Sequence, residues 1–199
     1  MRDLILGFHF IFSAYGFWLP NDPRGSWSAT IRAFNLLRFG PATKVNTIRS
    51  VADQHHDVDL RLAAKESLLY PPVKFTGLQA RAIVRGFADA LTEHDYRIYA
   101  LAILPDHVHL VMAWHSRHCD DIAKHLKAKA TMRLSAEGLH PLAQYASGTG
   151  RIPSPWARNH WCPFIWSAEH MRVAIRYVRA NPIKAGLQAQ HWSIVTPYE

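Results

Sequence analysis

Cysteine is scarce in this sequence: Cys119 and Cys162 are the only two among 199 residues. Two cysteines cannot build the disulfide framework of a small secreted domain, so the composition favours a reducing cytoplasm. Long apolar runs are also missing, and none approaches the ~20 residues that a membrane-spanning helix needs. The opening MRDLILGFHFIF contains an Asp and a His and no small-residue cleavage site, which is typical of a strand rather than a signal peptide. We therefore expect no membrane partner.

Acidic residues are outnumbered, with 15 Asp and Glu against 23 Lys and Arg, for a formal charge of +8. An excess of this size favours a polyanionic partner, and without a membrane signal the leading partner is nucleic acid. Hydrophobic residues make up 49% of the chain, which is enough for one packed core. A chain of this length is typical of one domain, here 1–199.

The apolar pattern predicts an α+β fold: a ferredoxin-like or RRM-like antiparallel sheet with helices packed on one face. A helical/loop insertion follows the first strand at about 31–72, and 188–199 is a short tail. The last helix opens at Ser167 as N-cap and should end near Asn181, because Pro182 disfavours a helical conformation before it. The other predicted elements are a strand at Leu4–Ala14, a helix at Gly77–His94, a hairpin of Tyr96–Leu104 and His107–Trp114, and a basic helix at Asp120–Ala136.

The stretch ILPDHVHLVM places His107 and His109 one residue apart in an apolar run. Residues two apart on a strand share a face, so two imidazoles could lean toward one metal ion. An equally simple interpretation is a half-exposed strand whose histidines face water. Two ligands do not hold a metal by themselves, so a third group must come from elsewhere in the chain.

The last helix offers such a group. Its apolar stripe is Met171, Ala174, Ile175 and Val178, and Tyr177 lies off that stripe, one turn before Asn181. A tyrosine off the apolar stripe, one turn before an amide, could present its phenol oxygen beside the amide oxygen. The alternative is a tyrosine that packs its ring on the sheet and leaves its hydroxyl in water.

The two motifs LPDHVHLVM and AIRYVRANPIKAGL, with the earlier FSAYGFWLPNDPRGSW, resemble the signatures of the HUH single-tyrosine transposases, which include insertion-sequence transposases and REP-associated tyrosine transposases. The resemblance covers the first strand, the hairpin and the last helix. It does not cover Ile31–Pro72 or the residues after Leu187.

This resemblance implies a bacterial enzyme of the cytosol or nucleoid that cuts single-stranded DNA beside a hairpin. The divalent cation would be Mg²⁺ or Mn²⁺. By position, Tyr177 matches the nucleophile that forms a 5′-phosphotyrosine link, His107 and His109 match the metal-binding pair, and Asn181 matches a third metal ligand. Members of the family differ in whether the tyrosine helix acts within one chain or in a homodimer, and both arrangements stay open here.

Several other residues are candidates for DNA contact. Four basic residues of the predicted helix at Asp120–Ala136, the middle-helix group, could face DNA or could form a solvated helix face. Arg176 and Arg179 flank Tyr177 in the last helix. Trp18 and Arg24, with Trp27, combine stacking surface with charge, although tryptophans in a proline-rich loop often anchor the loop to the core. The middle-helix group is Lys124, Lys127, Lys129 and Arg133.

His9 lies on the strand face opposite the phenylalanines, so it could be a further metal ligand or a residue that supports the histidine pair, or else a core or surface histidine. The segment WHSRHC, with the later His160 and Cys162, contains zinc-type ligands, but their spacing matches no standard zinc site.

Two alternatives to a mobile transposase remain. One is a domesticated REP-type tyrosine transposase that acts on chromosomal repeat hairpins. The other is a non-catalytic RRM-like nucleic-acid-binding module whose histidines and tyrosine are structural. Such a module is expected to expose aromatic residues on its sheet face, whereas ILPDHVHLVM places histidines there.

Overall fold

The first strand sorts its side chains by face. The computed structural model describes residues 4–45, 47 and 51–199, and in it β1 (Gly7–Ser13) buries Phe8, Phe10 and Phe12 on one side. Successive side chains of a strand point to opposite faces, so the alternating phenylalanines leave His9 on the other side. The predicted strand is confirmed, in a shorter form than the periodicity indicated.

The sheet has the order β2-β3-β1-β4, with every neighbouring pair antiparallel. The predicted hairpin consists of β2 (Ile98–Ile103) and β3 (His107–Ala113), and β4 (Phe164–Ile165) adds a short edge next to β1. This is the strand order of the ferredoxin-like arrangement that the sequence predicted.

The α-helices of the described chain are α1 (Val58–Glu66), α2 (Gly77–His94), α3 (Cys119–Ala136) and α4 (Ala168–Lys184). α2 begins with a capping box in which Thr76 and Gln79 exchange side-chain-to-backbone hydrogen bonds. α2 and α3 pack on the phenylalanine face, where Phe12, Phe87 and Leu126 are fully or almost fully buried. The predicted α2 is confirmed at both ends.

We predicted helices on one face of the sheet. The structure has α2 and α3 on that face, and α4 packs on the opposite face as a second helical layer. Its buried residues Met171, Ile175 and Val178 pack against Ala102 and Val111 of the hairpin. α4 extends one turn past the predicted end, because Pro182 removes only one N–H, close to the C-terminus. The helix then stops in a Schellman motif: the N–H of Gly186 (φ +73°) donates to Ile183, and that of Leu187 donates to Pro182.

The insertion after β1 contains a 3₁₀ helix (Phe34–Phe39) and α1, which share a small core around Leu19, Leu36 and Ala64. Residues 46 and 48–50 of the insertion, like Met1 to Asp3 in the opening segment, lie outside the described residues. Among the helices that are described, none combines the length and the apolarity needed to cross a bilayer.

The C-terminal tail lies along the exposed edge of β2. The side-chain amide of Gln190 pairs with both the N–H and the C=O of Ile103, at 2.8 and 2.7 Å. The N–H of Thr196 donates to the C=O of Ile98 at 2.8 Å. These bonds satisfy backbone groups that an edge strand would otherwise leave unpaired, and they tie the chain after α4 to the sheet.

Gly86 sets the distance between α2 and α3, and its substitution tests that packing. A Cβ there would lie 2.6 Å from the Cα of Ala130 and 2.6 Å from the carbonyl oxygen of Lys129. We expect Gly86→Ala to lower the free energy of unfolding by about 1–3 kcal/mol, despite alanine's better helix propensity. Gly77→Ala, where the added Cβ meets nothing within 4 Å, is the matched control for urea denaturation. Equal stability of the two variants would contradict this packing.

Candidate active site

Three histidines share one face of the sheet because of the register between β1 and β3. Ile11 lies opposite His109, and Ser13 lies opposite His107. Directly paired residues of antiparallel strands point to the same side, and His9 is two residues before Ile11. His9, His107 and His109 therefore all lie opposite the phenylalanine core.

α4 brings Tyr177 to these histidines. Burial of its apolar stripe orients the helix, and Tyr177 then lies at the margin of the contact, 41% exposed. The Tyr177 ring centre is 5.9 Å from that of His9 and 5.5 Å from that of His109, with both pairs edge to face. A side chain from the C-terminal helix and two from the sheet thus form one cluster.

Hydrogen bonds hold two of the histidines through one nitrogen each. His109 Nδ1 lies 3.1 Å from His9 Nε2, and His107 Nδ1 lies 2.7 Å from Asp106 Oδ1. In both rings the bonded atom is Nδ1, so Nε2 is the nitrogen left to bind an ion. A histidine that ligates a metal typically makes such a bond through its other nitrogen, which fixes the ring and its tautomer.

His107 is also held by stacking. Phe17, in the loop after β1, lies almost parallel to it, with 8° between the planes and 5.0 Å between ring centres. Neither Phe17 nor Asp106 was predicted as a site residue from the sequence. The sequence position of Asp106 could have indicated its role, because a carboxylate directly before a candidate histidine ligand can orient that histidine. Nothing in the sequence indicates the role of Phe17, because its position depends on how the loop after β1 folds back onto the sheet.

Burial keeps the inner histidines neutral. Desolvation by burial, followed by the nearby His170, lowers the pKa of His9 from 6.5 to about 4. Desolvation, followed by the nearby His107 and His9, holds the pKa of His109 well below its ordinary value. Neutral imidazole is the form that binds metal ions.

Asn181 lies one turn beyond Tyr177 and is 9% exposed. α4 starts over Gly7, where Met171 packs, and Tyr177 then contacts His9 and His109. Four further residues advance the helix by ~6 Å, which carries Asn181 toward the His107 end of the sheet.

The Asn181 side chain has an unfilled hydrogen-bonding capacity. Its Nδ2 atom is buried and has no hydrogen-bond partner among the described residues. The amide oxygen and nitrogen are interchangeable by rotation, so the unpartnered position can equally hold the oxygen. A buried amide without a partner costs free energy unless something else satisfies it.

Basic residues of α4 surround the tyrosine. Arg176 and Arg179 are exposed on the same helix. The Lys184 ammonium lies 5.5 Å from the centre of the Tyr177 ring. The structure thus brings these predicted DNA-contacting arginines to the side of the molecule that carries the histidines.

The four basic residues of α3 lie behind the sheet, away from the histidines. The Lys127 ammonium donates to the carbonyls of Ala157 and Asn159, at 2.9 and 3.0 Å, and burial lowers its pKa to about 8. The other three face carboxylates of α2 or α3, and a part for these residues in DNA binding stays a prediction. These pairs are Lys124 with Asp121, Lys129 with Glu93, and Arg133 with Asp89.

Arg24 braces its own loop. Its guanidinium makes two hydrogen bonds of 2.8 Å to the buried carboxylate of Asp22 and lies 4.1 Å from the centre of the Trp18 ring. Trp18 donates its indole N–H to the carbonyl of Gly25 at 2.6 Å. The charge of Arg24 is therefore paired inside the loop, and its predicted DNA contact is untested.

The zinc-type residues of the sequence also converge, at the start of α3. Ligand atoms of His118, Cys119 and Asp120 lie within 4.8 Å of one another, and His160 Nε2 lies 3.2 Å from Asp120 Oδ1. Cys162 interacts with Cys119, and burial raises the pKa of the Cys162 thiol. The His160 ring packs near Phe10 and Phe12, so this cluster is on the far side of the sheet from His109.

The neutral state of His9 predicts a loss of stability in acid. Because the folded pKa is about 4 and the unfolded value is 6.5, the unfolded chain binds the proton first as the pH falls. We expect His9 to contribute a loss on the order of 3 kcal/mol, beginning near pH 6.5 and complete near pH 4. Urea denaturation at several pH values checks this, with His9→Gln expected to show a shallower decline. Parallel curves would contradict the burial of a neutral His9.

No protein-family model matches the chain, and no curated protein matches it. Among solved structures, a REP-associated tyrosine transposase bound to a REP hairpin is similar over 94% of this chain and 73% of its own, with 12% identity and a TM-score of 0.49. A protein of Deinococcus radiodurans assigned as a transposase is similar over 94% of both chains, with 18% identity and a TM-score of 0.40. Both are described as transposases. What this chain can do depends on the residues of its own site.

Proposed function

We propose that the chain is a metal-dependent single-stranded DNA endonuclease and strand transferase that acts through Tyr177. The observation that carries the proposal is the position of Tyr177: it lies against the His9–His109 pair, on the same sheet face as His107 and at the edge of a basic helix. The proposed nucleophile and phosphate-binding charges belong to α4, and the proposed metal ligands His107 and His109 belong to β3.

The residues fit a divalent cation. His107 and His109 would bind it through Nε2, and Asn181 would supply its amide oxygen, which gives its buried unpartnered group a role. Mg²⁺ prefers a shell of oxygens, whereas Mn²⁺, as a first-row transition-metal ion, accepts imidazole nitrogens beside oxygen ligands more readily. Of the two cations expected from the motifs, this ligand set therefore favours Mn²⁺. When bound, the cation would polarise the scissile phosphate and stabilise the charge that develops on it.

The proposed cleavage step forms one bond and breaks one. The phenol oxygen of Tyr177 attacks the phosphorus, the bond from phosphorus to the 3′ oxygen breaks, and the 3′ oxygen leaves with the electron pair and takes up a proton. The phenol loses its own proton in the same step. The product is a 5′-phosphotyrosine and a free 3′-hydroxyl, and attack of such a hydroxyl on another link would rejoin strands without nucleotide hydrolysis.

α4 would hold the DNA strand at the nucleophile. Arg176, Arg179 and the Lys184 ammonium present positive charge on the exposed side of the helix, where phosphates on either side of the scissile one could bind. The same chemistry would serve a mobile element or a domesticated enzyme at chromosomal repeat hairpins, because the two differ in the DNA and not in the step.

A non-catalytic RRM-like module is disfavoured. Such a module stacks bases on aromatic residues of an open sheet face. Here the corresponding face carries His9 and His109, and α4 packs over it through Met171 and Val178.

The nucleophile is tested by Tyr177→Phe. The variant keeps the ring contacts with His9 and His109 but lacks the attacking oxygen, so we expect no covalent adduct with a hairpin-bearing single-stranded oligonucleotide in Mn²⁺. The adduct is detected by its shift on a denaturing gel. Tyr198→Phe, at a tyrosine that packs on Tyr99 beside β2, should react like the wild type. An adduct in Tyr177→Phe would reject the assignment.

The cation site is tested by removing the group that orients His107. Asp106→Asn weakens the hold on His107 Nδ1 and the basicity of the ring, and such losses typically reduce metal affinity about 10–100-fold. We expect a comparable rise in the Kd for Mn²⁺, measured by electron paramagnetic resonance of the free ion. Asp121→Asn, at an exposed carboxylate on α3, is the control. If His107→Ala binds Mn²⁺ as tightly as the wild type, the site lies elsewhere, and the cluster at His118 is then the next candidate.

A further inference from the structure

The two cysteines of the chain meet on the phenylalanine face of the sheet, although the sequence separates them widely. Cys119 is the first residue of α3, and Cys162 lies two residues before β4. Both side chains pack against the main hydrophobic core, and both thiols are free. The Cys162 thiol hydrogen-bonds to the Cys119 side chain, so the two sulfur atoms are neighbours.

Backbone pairing with β1 sets the direction of the Cys162 side chain. Ile11 and Trp161 exchange N–H···O=C hydrogen bonds of 2.8 and 3.1 Å, which keeps the segment before β4 extended. Side chains alternate along an extended segment, so His160 and Cys162 share a face. The centre of the His160 ring lies 6.0 Å from that of Phe10, on the side of the sheet where α3 packs. The pair therefore points toward the start of α3.

Further metal-type ligand atoms surround the two thiols. Those of His118, Cys119 and Asp120 lie within 4.8 Å of one another. The Asp120 carboxylate lies 3.8 Å from His118 Nδ1 through Oδ2 and 3.2 Å from His160 Nε2 through Oδ1. Two ligands of one tetrahedral zinc ion are about 3.3–3.8 Å apart, given bonds of ~2.0–2.3 Å from zinc to nitrogen, oxygen and sulfur. We call this group, completed by Cys162, the thiol cluster.

The donor types of the thiol cluster select zinc. Thiolate and imidazole are the usual ligands of structural Zn²⁺ sites, whereas Mg²⁺ and Mn²⁺ favour oxygen ligands. Burial, followed by the nearby Cys119 and Asp120, raises the pKa of the Cys162 thiol, so a cation beside this group is needed to favour its thiolate at neutral pH. Zn²⁺ supplies that charge and displaces the thiol proton when it binds.

We propose that the thiol cluster is a structural site for one Zn²⁺, held by both thiolates, the Asp120 carboxylate and the His118 imidazole. His160 would position Asp120 through the contact with Oδ1, as hydrogen bonds to ligating carboxylates do in other metal sites. The ion would fasten the segment before β4 to the start of α3. This site is independent of the proposed function, because it lies on the face of the sheet opposite His109 and Tyr177.

Spectroscopy of the reduced protein with Co²⁺ as the probe tests the site. Co²⁺ bound by thiolates absorbs in the near ultraviolet by charge transfer from sulfur, and a tetrahedral ligand shell gives intense d–d bands in the visible. We expect the sulfur absorption to saturate at one Co²⁺ per chain and to disappear when an excess of Zn²⁺ displaces the Co²⁺. The site at His107 contains no sulfur ligand, so His107→Ala should keep this absorption.

Two variants and a control assign the residues. Cys162→Ser should lower both the sulfur absorption and the affinity for Zn²⁺. His160→Leu removes the contact with Asp120 but no proposed ligand, so it should keep the sulfur absorption and weaken Zn²⁺ binding about 10–100-fold. Asp121→Asn, at the exposed carboxylate next along α3, should bind Zn²⁺ like the wild type.

A structural role also predicts an effect on stability. Saturating Zn²⁺ should raise the thermal midpoint of the wild type, because a ligand that binds only the folded state stabilises it. The midpoint of Cys162→Ser should change much less. If Cys162→Ser fails to fold, the wild type still provides the test, because Zn²⁺ should protect both of its thiols from alkylation, as measured by mass spectrometry.

The zinc site is rejected if the reduced wild type shows no sulfur absorption with Co²⁺, or if Cys162→Ser binds Zn²⁺ as tightly as the wild type. It is also rejected if Zn²⁺ leaves the alkylation of both thiols unchanged. A disulfide between Cys119 and Cys162 in the oxidised protein, together with no sulfur absorption in the reduced protein, would identify a redox pair in place of a metal site.

Discussion

The register between β1 and β3 is the constraint on which the rest of the structure depends. It buries Phe8, Phe10 and Phe12 on one face, and the two-residue period of a strand then assigns His9 to the other face, together with His107 and His109. A slip by one residue would move every side chain of the strand to the wrong side. Hydrophobic burial on one face thus determines which side chains form the polar site on the other face.

Burial of apolar side chains also positions α4, which completes the site. Burial of Met171 and Val178 fixes the rotation of the helix, and Tyr177 lies against the imidazoles as a consequence. The tail after α4 pairs with the edge of β2 through Gln190. Burial holds two imidazoles of the site neutral and leaves the Nδ2 atom of Asn181 without a hydrogen-bond partner among the described residues.

The distribution of charge differs from what the net charge of +8 indicates. Potential at a surface follows unpaired charges, and Lys129 and Arg133 of α3 are paired with carboxylates of α2. Lys127 pins the segment 157–159 by donating to its carbonyls. On α4, by contrast, Arg176, Arg179 and Lys184 form no ion pair among the described residues, and they lie on the helix that carries Tyr177.

By itself, the sequence determined the elements and which face of each is apolar. Local patterns of fixed period indicate the alternation of the phenylalanines, the bounds of α2, the hairpin and the position of Tyr177 off the apolar stripe. It also contained the pair His107 and His109 as candidates, because two residues apart on a strand means a shared face. Only the tertiary structure decided which distant groups meet them. The contact of His9 with His109 spans 100 residues, and the stack of Phe17 on His107 depends on how an irregular loop folds back, which no periodicity records. The ion pairs between α3 and α2 could not be predicted from the sequence either, because a basic helix face has the same pattern whether it contacts water, DNA or a neighbouring carboxylate.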